Sequence, residues 1–267
     1  MIAPKRAARL ALLGGVYNNY LALETALRDA VRRGADEIYC LGDLGAFGPF
    51  PDRVFPLLHD HNVRCLQGNY DDSVGHGREN CQCGYTDPRD NYFAQISYDY
   101  TLQNTSAANR RFLRELPKEI RFEVESLRLL LCHGSPRRTN EFLWESTTST
   151  QFLEGLLDRS VADVVLATHT GIKWQRTLPN DRRFVNVGVL GRPENDGKTN
   201  VWYSLLTVST NRAVDVEFVP VAYDFNRLAR EMADEKLPAE FQATITSGWW
   251  TTCLEILPAK ERRRGKF

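Results

Sequence analysis

The chain has 267 residues, of which 42% are hydrophobic and 25% are charged. Lysine plus arginine equals aspartate plus glutamate at 34 each, so no excess of positive charge indicates binding to nucleic acid or to a membrane surface. No stretch approaches the roughly 18 apolar residues that a membrane span requires. We therefore expect a soluble globular protein, folded as a single domain over residues 1–267, with neither membrane nor nucleic acid as a clear partner.

The first seventy residues alternate between strand and helix patterns. Strands are predicted at residues 9–13, 37–41 and 63–67, and helices at 20–33 and 51–61. This β-α-β-α-β order builds a parallel or mixed sheet that helices cover. Ligands of such sheets bind at the carboxyl ends of the strands.

Residues 72–104 break the pattern, because Asp, Gly, Asn, Tyr and two cysteines replace the apolar repeat. We interpret this segment as an irregular excursion near the functional site, with a short helix at 94–102. Further elements are predicted beyond it, namely helices at 107–116, 151–157 and 225–235, and strands at 120–124, 127–132, 164–167, 174–178, 184–187, 201–207 and 214–221. The predicted fold class is α/β, with two packed mixed sheets flanked by helices and a helical tail from about residue 223.

The six cysteines bear on the compartment of the protein. Cys40, Cys65 and Cys132 lie in apolar strand-like runs, where a free thiol packs as a small hydrophobic side chain. Cys81 and Cys83 are one residue apart and no second pair follows, so we interpret them as part of a structural loop, not as a zinc site. Residues 1–6 lack an apolar run long enough for a secretory signal. These observations predict a reduced, cytoplasmic protein.

Four short loops, each following an apolar run, offer one residue suited to metal binding: Asp43, Asn69, His133 and His169. One carboxylate, one amide oxygen and two imidazoles suit Mn, Zn or Fe better than Ca or Mg. Taken singly, each residue has an ordinary alternative as a turn residue, a helix cap or a hydrogen-bonded core histidine. Because all four come from strand ends, we expect them to bind one divalent transition metal ion for chemistry on phosphate esters.

The order of these loops resembles the calcineurin-like metallophosphoesterases, particularly their small bacterial and archaeal phosphodiesterase-like members. The resemblance runs from about Arg9 to Val221. It includes the motifs Gly42-Asp43, Gly68-Asn69-Tyr70-Asp71, His133-Gly134-Ser135-Pro136-Arg137-Arg138, Phe184-Val185-Asn186-Val187-Gly188 and Gly191-Arg192-Pro193. The resemblance implies a two-sheet fold and hydrolysis of a phosphate ester by two adjacent metal ions that an aspartate and a hydroxide bridge.

The resemblance also implies that the first metal site is degenerate. Gly15 stands where that site needs an aspartate, Tyr17 where it needs a histidine, and Gly171 where it needs the second histidine of the last loop. The second site would use the four residues named above, and all four are present. We therefore expect a single metal ion, with turnover orders of magnitude slower than that of a two-metal enzyme. Tyrosinate can ligate iron, so Tyr17 leaves a minor route to a rebuilt first site.

Catalytic roles are carried over from the resemblance to Tyr70, Asp71, Arg137 and Arg138. Tyr70 stands where many relatives have a histidine that protonates the leaving group, and Asp71 would steer it. A free tyrosine, with a pKa near ~10, is a weak acid at neutral pH. Arg137 or Arg138 would orient the ester through its guanidinium fork, although a solvated arginine pair is the alternative.

Three functions of different class fit these residues. The first is a slow mononuclear phosphoesterase that acts on a phosphate ester or a phosphorylated small molecule. The second is a catalytically inactive pseudoenzyme that binds a phosphorylated ligand or a protein partner. In the third, the metal is structural, and an exposed aromatic surface around Trp249 and Trp250 carries an interaction. A homo-oligomer is compatible with all three.

Overall fold

The computed structural model describes residues 7–263, whose centre is a pair of five-stranded sheets. Residues 1–6, which entered the prediction of the compartment, and residues 264–267 lie outside the described part. Helices cover the outer faces of both sheets, and each sheet contains parallel and antiparallel pairs. The predicted α/β fold of two mixed sheets flanked by helices is therefore confirmed.

The strands and helices follow one another in an order close to the predicted one. In chain order they are β1 (Ala8–Leu13), α1 (Tyr20–Arg32), β2 (Glu37–Cys40), α2 (Val54–Asp60), β3 (Arg64–Cys65), α3 (Asn69–His76), α4 (Pro88–Asn104), α5 (Ala107–Glu115), β4 (Glu119–Val124), β5 (Leu127–Cys132), α6 (Thr150–Ser160), β6 (Val164–Ala167), β7 (Trp174–Thr177), β8 (Arg183–Asn186), β9 (Val201–Val208), β10 (Val214–Val221), α7 (Phe225–Asp234), α8 (Ala239–Ser247) and α9 (Ala259–Arg262). No described helix has the length and apolar character to cross a membrane.

The two sheets are built from different parts of the chain, and only the first combines early strands with late ones. The first has the strand order β10-β9-β1-β2-β3, with β1, β2 and β3 parallel. The second has the order β4-β5-β6-β8-β7, with β5, β6 and β8 parallel. The loops that follow β2, β5 and β6 leave the carboxyl ends of parallel strands, where ligands of such sheets bind.

Side chains that alternate along the strands fill the space between the sheets. Both sheets contribute, through Leu10, Leu12, Leu129, Leu131, Val164, Leu166, Val185 and Val187. Because successive residues of a strand point to opposite faces, Ala11 and Leu13 of β1 pack instead in the cluster that contains the buried face of α1. This two-sided burial explains why β1 is almost continuously apolar.

The segment at 72–104 is largely helical. The predicted short helix at 94–102 lies within α4, but the prediction of an irregular excursion is wrong at 72–76 and over the rest of α4. The helix α4 begins at Pro88. Asp87 caps it, because its side chain accepts hydrogen bonds from the N–H groups of Arg89 at 2.8 Å and Asp90 at 3.3 Å. Its buried positions have helical spacing, but only Phe93 and Ala94 are wholly apolar, and polar atoms are carried by the others, Asp90, Ser97, Tyr98 and Thr101. An apolar repeat was therefore not visible in the sequence.

Between α3 and α4 lies a loop that a disulfide between Cys81 and Cys83 closes. The prediction of reduced cysteines is therefore wrong for this pair. The other four cysteines are free and buried. The loop contacts the segment after β5, where Asn140 donates a hydrogen bond to the carbonyl of Gln82 at 2.9 Å. It thereby lies against the loops that carry the candidate metal ligands.

Candidate metal centre

Three of the predicted metal ligands meet at the carboxyl ends of β2, β5 and β6. Nε2 of His133 lies 3.1 Å from Oδ2 of Asp43 and 3.2 Å from Nδ1 of His169. One ligand atom from each residue lies within 4.8 Å of the others, and all three residues are buried. We call this group the metal cluster. It joins the two sheets, because β2 belongs to the first and β5 and β6 to the second.

A hydrogen bond orients His133 toward the cluster, and burial keeps His169 neutral. Nδ1 of His133 donates to the Leu41 carbonyl at 2.6 Å, which turns Nε2 toward the cluster. Burial lowers the pKa of His133, but the Asp43 carboxylate outweighs it and the pKa is raised overall. Burial, followed by the proximity of His133, lowers the pKa of His169 to about 3. His169 is therefore neutral at physiological pH, as a metal ligand must be.

Asp43 is held ionised, with one oxygen turned to the histidines. Its Oδ1 accepts the N–H of Tyr70 at 3.0 Å, which leaves Oδ2 for the cluster. Burial raises the pKa of Asp43, but the nearby His133 imidazole and this hydrogen bond lower it further than burial raises it. Asp43 and His169 both adopt left-handed backbone conformations, with φ of 57° and 69°. Such conformations are uncommon outside glycine and concentrate at functional sites.

The loop that carries Asp43 is held by Asp71, which accepts backbone N–H groups from both of the loops it joins. The donors are Asp43 at 2.7 Å, Leu44 at 3.0 Å and Gly68 at 2.8 Å. Burial and the nearby Asp43 carboxylate raise the pKa of Asp71 to about 6, against the effect of these donors. A Cβ at Gly68 would lie 2.2 Å from Oδ1 of Asp43, so the close approach of the two loops requires glycine there.

The fourth predicted ligand, Asn69, presents an unused oxygen. Its Nδ2 donates to the Cys81 carbonyl at 2.9 Å and to Sγ of Cys83 at 3.4 Å. Its Oδ1 is buried and has no hydrogen-bond partner among residues 7–263, and the same holds for Nε2 of His169. Buried polar atoms are nearly always satisfied, so the unpartnered amide oxygen agrees with the prediction that Asn69 ligates a cation, and that role stays a prediction.

The four predicted catalytic residues lie in different surroundings. The Tyr70 hydroxyl is buried against α4, where it donates to the Ala94 carbonyl at 3.2 Å and shares a hydrogen bond with the Ser97 hydroxyl at 3.0 Å, and burial raises its pKa well above the usual value. Asp71 lies behind Asp43, as described above. Arg137 and Arg138 are exposed, and Arg137 pairs with Glu141 at 2.5 Å. The hydroxyl of Tyr70 thus has partners other than the metal cluster, and its role as an acid stays a prediction.

The positions expected to form the first metal site are filled by aromatic rings and an arginine. A Cβ at Gly15 would lie 2.5 Å from the Tyr17 ring, and one at Gly171 would lie 2.8 Å from the Trp250 ring. Burial raises the pKa of Tyr17, although Arg192 opposes this, so its hydroxyl is protonated at neutral pH. These contacts agree with the expectation that the first metal site is degenerate, which stays a prediction.

Arg192 and Trp250 are residues near the site that sequence reasoning missed. The guanidinium carbon of Arg192 lies 3.5 Å from the centre of the Trp250 ring. Trp250 is only 2% exposed and donates a hydrogen bond to the Pro193 carbonyl at 2.6 Å, so the prediction of an exposed aromatic surface is wrong for this residue. The motif Gly191-Arg192-Pro193 was visible in the sequence, but nothing there linked it to a tryptophan far along the chain.

A two-sheet sandwich with a carboxylate and two imidazoles at its strand ends defines a metallophosphoesterase-like site. A model of the calcineurin-like phosphoesterase superfamily domain matches residues 9–211, and the chain belongs to that family. The resemblance drawn from the sequence is therefore confirmed.

One relative and two solved structures support the assignment to this family. An uncharacterized protein of Methanocaldococcus jannaschii is 24% identical over an alignment of 245 residues that covers 86% of this chain and 93% of the relative. The crystal structure of a hypothetical protein from Pyrococcus horikoshii matches with a TM-score of 0.74 at 19% identity, over 91% of this chain and 99% of that one. A metallophosphoesterase from Sphaerobacter thermophilus matches with a TM-score of 0.68 at 22% identity, with the same coverage of 91% and 99%. At these identities, the two structures establish the shared fold.

Proposed function

We propose that this protein is a mononuclear phosphoesterase, which hydrolyses phosphate esters with one divalent transition metal ion, Mn, Zn or Fe. Asp43, Asn69, His133 and His169 would hold the ion. The observation that carries the proposal is the convergence of a carboxylate and two imidazoles within 4.8 Å at the buried strand ends. A metal ion there would polarise a phosphoryl oxygen and lower the pKa of a water molecule.

The protein supplies orientation around this centre. Asp71 holds the Asp43 loop through three backbone N–H groups, and the Leu41 carbonyl sets the direction of the His133 ring. Such surrounding contacts commonly change metal affinity or activity by about 10- to 100-fold when they are removed. Arg137 and Arg138 are candidates to orient an ester at the surface, because their exposed guanidinium groups can bond phosphate oxygens.

The second candidate is the inactive pseudoenzyme, and the closure of the site favours it. The three residues of the metal cluster are at most 7% exposed. The Phe142 ring lies 4.3 Å from the His169 ring, centre to centre, so it covers that histidine. A protein that binds a partner at its surface without turnover needs no open path by which an ester could reach the metal cluster. A structural metal that ties the loops together would be equally enclosed.

Metal analysis combined with an ester hydrolysis assay separates these functions. We expect about one metal equivalent per chain after loading with Mn and dialysis, and slow hydrolysis of bis-p-nitrophenyl phosphate or p-nitrophenyl phosphate. His133→Ala should abolish both metal binding and turnover. His59→Ala is the matched control, because the side chain of His59 is 92% exposed. One metal equivalent without turnover would support the pseudoenzyme, and no metal in the unmodified protein would contradict the proposal.

The proposal also includes a cytoplasmic location for the protein. A cytoplasmic location is supported by Cys40, Cys65, Cys132 and Cys253, which are free and buried. The disulfide between Cys81 and Cys83 points the other way. Thiol alkylation in intact cells followed by mass spectrometry would show which state this pair has in vivo, and a fully oxidised pair would contradict a reducing compartment.

A further inference from the structure

Arg192 is a largely buried arginine with no anionic partner in the part of the chain that the structure describes. The residue is only 5% exposed, and its Nε is buried without an acceptor. None of the hydrogen bonds or ion pairs found among residues 7–263 involves its side chain. Burial of an unpaired charge is strongly unfavourable, so buried arginines are normally paired. A ligand that carries the missing negative charge would explain why this arginine is tolerated.

Aromatic rings surround this guanidinium group. The ring centres of Trp250, Phe47 and Tyr17 lie 3.5, 5.0 and 5.9 Å from its central carbon. Such contacts stabilise a cation through the ring faces but accept no N–H hydrogen bonds in the plane of the guanidinium. The N–H groups of Arg192 therefore remain available to an anion.

The guanidinium lies beside two of the three loops that carry the metal cluster, those of His169 and Asp43. Its Nη2 lies 3.6 Å from the point where a Cβ would stand at Gly171, two residues after His169. Tyr17, whose ring centre is 5.9 Å from the guanidinium carbon, donates its backbone N–H to the carbonyl of Asp43 at 3.2 Å. These flanking residues occupy two of the positions where the resemblance expected ligands of the first metal.

We propose that Arg192 binds the phosphoryl group beside the metal cluster and supplies positive charge that a first metal ion would otherwise provide. This inference rests on the proposed function, because it assumes that a phosphate group reaches the metal centre. Guanidinium suits the task, since its planar fork bonds two phosphate oxygens and its charge persists at any physiological pH. Arg192 thereby acts as a phosphate-binding residue distinct from Arg137 and Arg138.

Calorimetric titration with inorganic phosphate tests the proposal without relying on turnover. The unmodified Mn-loaded protein is compared with Arg192→Gln, which removes the charge, and with Arg192→Lys, which keeps it without the fork. Arg53→Gln is the matched control, because Arg53 also stacks on aromatic rings, at 4.9 Å from Tyr20 and 4.1 Å from Phe50, but pairs with Glu231 at 3.6 Å. Metal content and thermal unfolding are measured for every variant.

We expect Arg192→Gln to keep its metal and to bind phosphate about 10- to 100-fold more weakly than the unmodified protein. Arg192→Lys should fall between the two, and Arg53→Gln should match the unmodified protein. The Lys variant also gives a result if the Gln variant does not fold. Phosphate affinity that is unchanged in either Arg192 variant, or absent in the unmodified protein, would overturn the role of Arg192.

The measured metal content distinguishes a failure of the role proposed for Arg192 from a failure of the proposed function. If the unmodified protein holds no metal but its phosphate binding depends on Arg192, the mononuclear enzyme is contradicted while the anion site stands. If metal binds and the phosphate affinity is the same in the unmodified protein and the Arg192 variants, the anion site is contradicted while the metal centre stands.

Discussion

Replacement of Asp71 by asparagine tests whether a buried carboxylate holds the loop that carries Asp43. Oδ2 of Asp71 accepts the N–H groups of Asp43 at 2.7 Å and Gly68 at 2.8 Å, and Oδ1 accepts that of Leu44 at 3.0 Å. An asparagine has one acceptor oxygen and one NH2 group. In either orientation, the NH2 group therefore faces at least one buried N–H donor.

The expected cost follows from the better of these two orientations. The amide oxygen then keeps the bonds to Asp43 and Gly68, and the N–H of Leu44 is left unsatisfied. Loss of a hydrogen bond to a charged group, together with one orphaned N–H, costs about 2–4 kcal/mol of unfolding free energy. For a chain of this size, that corresponds to a fall in melting temperature of roughly 5–15 °C.

Thermal and urea unfolding would measure this loss, with Asp72→Asn as the matched control. Asp72 is the next residue in α3, its side chain is 28% exposed, and it pairs with Arg78 at 2.9 Å. We expect its replacement to cost less than about 1 kcal/mol, as for other solvent-exposed ion pairs. Asp71→Asn should also weaken metal binding by about 10- to 100-fold, because the Asp43 loop loses its support. Equal stability of the two variants would refute the reasoning.

Three further predictions concern other contacts. The hydrogen bond from Arg128 lowers the pKa of Asp163. The stabilisation of the folded state by this pair is therefore complete above the unfolded pKa near ~3.9 and is lost as the pH falls through the lower folded pKa. Asp163→Asn should reduce the free energy of unfolding by about 1 kcal/mol at neutral pH and flatten the acid end of a plot of unfolding free energy against pH. Gly68→Ala should weaken metal binding at least about tenfold in a metal titration, because its Cβ would displace the ligand carboxylate, and retained affinity would contradict the close approach. Gly171→His should cost about 2–4 kcal/mol in thermal unfolding, because φ is 79° and the Trp250 ring blocks the side chain, and Trp250→Ala in the same chain should recover part of this loss.

Much of the fold could be predicted from the sequence, because burial on two faces leaves a clear apolar pattern. The strands β6 and β10 have the predicted bounds, and α1 differs by one residue at its end. Only residues 94–102 of the helix α4 were predicted as helical, because its buried face carries Ser, Thr, Tyr and Asp, whose polar atoms find partners only in the folded chain. A short window of sequence does not reveal such partners.

The sequence by itself determined which residues stand at the strand ends, because each follows its own apolar run directly. It therefore predicted Asp43, His133 and His169 as a group, and the parallel strands bring them together. The tertiary structure alone decided what fills the space beside them. Trp250 and Arg192 are far apart in the chain, and only the packing of the C-terminal segment against the last loops brings tryptophan onto guanidinium. Local pattern sets the direction of a side chain, but its neighbours across the sheet depend on how the whole chain packs.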